Sequence, residues 1–158
     1  MLSTNGTAYW AVRLHAPVYA AAPADFYQQV AIRPSPTYDG LHYCVDDWHT
    51  ILLALIYTVD DTYMRQQAAA DASLTNIVFI LDGQAIQDTT RTAFIRFLNP
   101  EFFGADEAWS CQIGKIFAPG TLTVGTHQLT AYIIDPVFGD FETSITFYVD
   151  AAGTGACL

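Results

Sequence analysis

Residues 76–87 read NIVFILDGQAIQ, and this stretch decides the fold. Within Asn76–Leu81, residues 77–80 are an unbroken β-branched and aromatic run, the composition of a strand. Asp82-Gly83 follows, a pair suited to the positive φ angles of a tight hairpin turn. Gln84–Gln87 then begins a return strand. A two-residue connection joins antiparallel neighbours and leaves no room for a crossover helix.

Downstream the same grammar repeats. Ala93–Leu98 (AFIRFL) is strand-like and stops at Asn99-Pro100. Glu107–Ile113 alternates moderately. Pro119-Gly120 and Gly125-Thr126 mark turns. His127–Ile134 places Leu129, Ala131 and Ile133 on one face. Asp135-Pro136 and Gly139-Asp140 make the next turn. Phe141–Val149 puts Phe141, Thr143, Ile145, Phe147 and Val149 on one side. Short strands separated by turn signals indicate a sandwich or barrel. The expected core contains Val78, Ile80, Trp109, Leu129, Ala131, Ile133, Ile145 and Phe147.

Upstream, Thr62–Ala72 (TYMRQQAAADA) is the one helix-like stretch, and it is short. Thr50–Val59 (TILLALIYTV) is continuously apolar, and periodicity alone does not separate a buried strand from a buried helix. Its length, its β-branched ends and the flanking Asp46-Asp47 and Asp60-Asp61 favour a central strand. Residues 1–40 carry two β-like runs, Ala8–Leu14 and Phe26–Arg33, broken by Pro17, Pro23, Pro34 and Pro36. Proline donates nothing to a sheet ladder. That segment is expected to supply edge strands and extended loops wrapped on a body formed by 41–158, in a single domain.

Composition narrows the function. Of 158 residues 52% are hydrophobic and only 14% charged, below the usual share of about 25%. Sixteen acids against six cations give a net charge of -10. Such a surface has no basic face to displace counterions from phosphates, which argues against nucleic acid and against anionic membrane surfaces. Thirteen Asp against three Glu favours turns over helices. No apolar run is long enough to cross a bilayer. The start, Met1-Leu2-Ser3-Thr4, lacks the basic and apolar regions of a signal peptide; a mature secreted form is nevertheless the reading favoured by the fold and the cysteines. Cys44, Cys111 and Cys157 include no CxxC pair. They read either as three buried free thiols or as one disulfide with a leftover thiol; three pairings are possible, with Cys44 and Cys111, both in strand-like segments, as the candidate disulfide.

From Asn76 onward the chain resembles bacterial immunoglobulin-like domains of secreted and surface proteins. The pieces that carry the resemblance are IVFILDGQAI, the central Trp109, VGTHQLTAYIID and SITFYVD, over about half of the chain. It implies an all-β, immunoglobulin-like sandwich of about seven to nine antiparallel strands, with an irregular N-terminal extension, in an extracellular or cell-surface setting. It implies no reaction. Phe97–Glu107 is longer than the family pattern, and residues 1–48 have no counterpart in it.

The chemistry-bearing residues are sparse. His42, Cys44 and Asp46 would share one face of an extended segment, with His49 nearby, a weak metal-ligand set. Asp60, Asp61, Asp82 and Asp135 stand at strand ends, where they cap turns; gathered at one pole they would suit calcium. No GxSxG, HExxH or P-loop motif is present. Tyr9, Trp10, Tyr19 and Tyr27 are the candidate binding aromatics, and Asn5-Gly6-Thr7 is a glycosylation triplet. The expected function is non-catalytic: a structural, adhesive or self-assembling protein module, with a homo-oligomer or filament as partner. A carbohydrate-binding module using exposed aromatics on a glycan is the alternative.

Overall fold

The structure, a computed structural model, describes residues 8–10, 30–97 and 100–158. Among these the chain forms β1 (Ala8–Trp10), β2 (Val30–Ile32), β3 (His42–Cys44), β4 (His49–Val59), α1 (Arg65–Leu74), β5 (Asn76–Leu81), β6 (Gln84–Ala85), β7 (Thr90–Arg91), β8 (Ile95–Arg96), β9 (Glu107–Phe117), β10 (Gly125–Ile134) and β11 (Phe141–Asp150). Among the described residues the chain is all-β apart from one short α-helix and brief 3-10 turns. The helix expected at 62–72 runs a few residues later.

Two sheets share one core. In the first, β4 and β9 pair antiparallel along their whole length, from His49↔Phe117 to Val59↔Glu107. β1 and β2 line up along the other edge of β4, while β7 and β8 pair with β9. The second sheet runs β3-β11-β10-β5-β6. Ile51, Leu53, Leu55 and Tyr57 of the first sheet meet Phe79, Leu129, Ile133, Ile145 and Phe147 of the second. Fully burying each such side chain stabilises the fold by about 1.5–3 kcal/mol.

The run 50–59 is the central strand the sequence suggested, and its lack of alternation has a cause. Leu52 packs with Ala31 and Ile116 on the face away from the core. Ala54 and Ile56 pack there with Ala108, Phe97 and Phe103. A strand covered on both faces reads as continuous apolar sequence.

Three expectations need correction. Two strand pairs are parallel, β2 with β4 and β3 with β11, so both sheets are mixed where all-antiparallel ones were expected, and the described residues alone form eleven strands, several only two or three residues long. Parallel pairing needs a crossover; residues 33–48 provide it by leaving β2, forming β3 in the opposite sheet and returning as β4. In β5 the inward residues are Ile77 and Phe79, whereas Val78 and Ile80 are only half-buried. The run NIVFIL is apolar on both faces, so its alternation gave no sign of which face turns inward. Trp109 is half-buried at one pole, beneath the Arg65 guanidinium at 4.1 Å and stacked on Phe94.

A buried polar network fastens α1 across that pole. Tyr63 donates its hydroxyl to Asp71 at 2.6 Å, and Gln67 donates to the other oxygen at 2.8 Å. Thr75 donates to Asp135 at 2.8 Å and lies 3.2 Å from the Tyr57 hydroxyl. Arg91 donates to the carbonyls of Ala72 and Thr75 at the end of the helix, where a cation also meets the negative end of the helix dipole.

Candidate functional site

The candidate metal residues are not gathered into one set. Cys44 is bonded to Cys157, with Cα atoms 4.7 Å apart, and Cys111 is a buried free thiol. The Cys44–Cys111 candidate pair is therefore corrected: the two residues lie in strands of opposite sheets, and the tail after β11 brings Cys157 to β3 instead. Cys44, Cys157 and Asp46 present ligand atoms within 4.8 Å of one another, but both sulfurs are engaged in the disulfide. His42 bonds Asp150 at 3.0 Å while stacking on Tyr148. His49 is buried in the first sheet, edge-on to Tyr43.

The tail forms a latch. Asp150 accepts the Ala156 amide at 2.8 Å as well as His42, and these bonds hold its carboxyl below the usual range. Gly155 makes the close approach possible: at φ +49 a Cβ there would stand 2.0 Å from an Asp150 oxygen.

The strand-end aspartates divide between two poles. Asp82 lies beyond β5 and bonds His127 at 2.7 Å and the Gln128 amide at 2.8 Å. Asp60 and Asp61 border a cleft of about 620 Å³ at the other pole, with Asp106, Glu107, Arg65 and Phe103. Asp60 accepts from the Thr62 and Tyr63 amides and the Thr62 hydroxyl, which lowers its pKa. Asp135 is buried and accepts from the Val137 and Phe138 amides at 2.9 and 2.8 Å. The arrangement is that of turn capping.

The most distinctive surface lies on the outer face of the second sheet. In β10 the alternation sends Leu129, Ala131 and Ile133 inward and Tyr132 and Ile134 outward, where they are 42% and 47% exposed. Val78 stands opposite Tyr132 in the β5–β10 ladder and Glu142 opposite it in β11. The turn capped by Asp135 sends Phe138 inward against Tyr57 and Tyr63 and leaves Val137 exposed beside Ile134 and Phe141 in the chain. Val78, Tyr132 and Ile134 line a shallow groove of about 450 Å³ with Asp140 and Glu142 as its acidic rim, and Phe141, the last member of the inward-facing row of β11, stands at its end. No described Lys or Arg borders it.

The sequence itself carries a sign of this groove. In HQLTAYII the polar outward positions Gln128 and Thr130 give way to Tyr132 and Ile134, an apolar break in an otherwise two-sided strand. Of the candidate binding aromatics, Tyr9 and Trp10 fall in β1, in register with Ile56 and Leu55. Tyr19, Tyr27 and the Asn5 triplet lie outside the described residues.

The chain matches no protein-family model and no curated protein. Among solved structures it is similar to the cysteine protease inhibitor EhICP2 from Entamoeba histolytica, at 13% identity and a TM-score of 0.30, over 77% of this chain and 93% of that one. A similarity that slight carries no argument about fold or function.

Proposed function

We propose that this chain is a non-catalytic binding module of immunoglobulin-like sandwich type that works outside the cytoplasm by associating with another macromolecule. The observation that carries the reading is the exposed groove of Val78, Tyr132 and Ile134 on a sheet face, with Phe141 at its end. Contiguous apolar surface rimmed by polar residues marks association sites, and aromatic side chains are enriched in interface cores. The Cys44–Cys157 bond supports an oxidising compartment, since structural disulfides persist there and are rare in the cytosol. The Asp82–His127 contact and the hairpin at Asp82-Gly83 sit in the segments that resemble the bacterial immunoglobulin-like domains.

The test is a screen of the purified chain on peptide and glycan arrays, repeated with Ile134→Glu. Binding is expected, and the variant, whose change lies on an exposed outward position, is expected to keep its melting temperature and lose that binding. Binding that persists in Ile134→Glu overturns the groove as the association surface.

A further inference from the structure

Beside the groove the second sheet ends in an edge that is only half covered. β6 pairs with β5 at Ile80 and Leu81 alone, and the Ile86 amide reaches the Phe79 carbonyl at 2.8 Å. Among the described residues no strand pairs with Asn76–Val78 on the side away from β10. In an antiparallel ladder the N–H and C=O of a residue face the same neighbour and alternate along the strand. Phe79 accepts from the β6 side, so Ile77 presents both its N–H and its C=O to that open edge. The Thr75 carbonyl just before it is taken by Arg91. Next to the edge, Val78 opens the apolar groove, and Asp140 and Glu142 close its far rim.

Resting on the association reading above, we propose that the open edge of β5 and the adjoining groove take an extended segment of a partner protein, apolar with interspersed Lys or Arg, as an added strand. Strand addition draws affinity from main-chain hydrogen bonds and specificity from pockets beside alternate side chains. The charge pattern selects the occupant. The rim is acidic, and no described Lys or Arg lines the groove; Arg91, beside the start of β5, is held by the Ala72 and Thr75 carbonyls. Arg33 is buried, Arg65 covers Trp109, Arg91 caps α1, Lys115 faces Asp88, and Arg96 belongs to the other sheet. A second copy would bring a net charge of -10 against the same acids, so like-charge repulsion disfavours self-pairing here.

The experiment titrates the full oxidised chain with a short fluorescent peptide of alternating lysine and valine. Two controls are the same peptide with glutamate for lysine, and one N-methylated at alternate amides. Anisotropy reads affinity, and amide exchange by NMR reads the site. The lysine–valine peptide is expected to bind, less well at high salt, and to slow exchange at Ile77. The glutamate peptide and the N-methylated peptide are each expected to bind at least about tenfold more weakly, the second because it cannot complete the ladder. Equal binding of either control, no binding of the lysine–valine peptide, or dimerisation of the chain through this face overturns the proposal. If the arrays reveal a partner that Ile134→Glu abolishes while basic peptides are ignored, the association reading stands and this one falls.

Discussion

His49 is fully buried, and neither ring nitrogen has a hydrogen-bond partner. Burial disfavours the imidazolium and lowers the pKa from 6.5 to about 4. The folded state therefore keeps His49 neutral over a range in which the unfolded chain takes up a proton. The contribution is intact above the unfolded value and is lost as pH falls from 6.5 towards about 4, amounting to about 3 kcal/mol. Urea unfolding across that range is expected to show the loss in the native chain and not in His49→Leu, which should be at least as stable at neutral pH because it removes an unpaired buried polar group. Asp60 and Asp150 have lowered pKa values, so both proteins share a further loss at more acidic pH. Gly114 is the second demanding residue. It faces Leu52 across the β4–β9 ladder, and a Cβ there would lie 2.3 Å from the Ile51 carbonyl oxygen. Gly114→Ala is expected to cost about 3 kcal/mol or more in chemical unfolding, since backbone must shift to admit the methyl. Nothing in the local sequence marks either residue, because both constraints come from strands distant along the chain.

At the scale of the element, α1 is held by its buried polar contacts more than by an apolar stripe. Ala68, Asp71 and Ala72 are its buried residues, spaced to share one face, and Asp71 is the acceptor for both Tyr63 and Gln67. Asp71→Ala would strand a buried tyrosine hydroxyl, and global stability is expected to fall by about 1–3 kcal/mol. Hydrogen exchange in α1 should rise more than in β10. Elements with an unambiguous pattern were legible: β10 and β11 from alternation, the hairpin from Asp82-Gly83, and β4 from length and flanks. The parity of β5 was not, since Ile77, Val78, Phe79 and Ile80 are equally apolar. β2 and β3 were not legible as parallel partners either, because their pairing depends on where residues 33–48 travel. The groove needed both kinds of information. Tyr132 and Ile134 show as a break in β10, but only the ladder sets Val78 and Glu142 beside them.

For the molecule as a whole, one core joins both sheets, so damage to it is felt everywhere. Ile133 is 1% exposed at its centre, and Ile133→Ala is expected to cost roughly 2–5 kcal/mol, measured by denaturant titration. Reducing the Cys44–Cys157 bond opens a loop with a sequence separation of 113, and the unfolded-state entropy it had suppressed is worth about 4–5 kcal/mol. The latch around Asp150 and Gly155 is expected to open at the same time. That closed loop also decides how the molecule would bear a pull. Tension applied ahead of Cys44 and behind Cys157 passes directly between the two sulfurs, and β4 to β11 hang beside the load path instead of lying in it. The bridge withholds about 400 Å of extensible chain. A single-molecule stretching trace of the oxidised protein should therefore lack that extension and recover it when a reductant is added. In a tethered protein the latch would work as a strain-relief loop, leaving the groove and the strands β5, β10 and β11 that carry it shaped for binding while the line is taut.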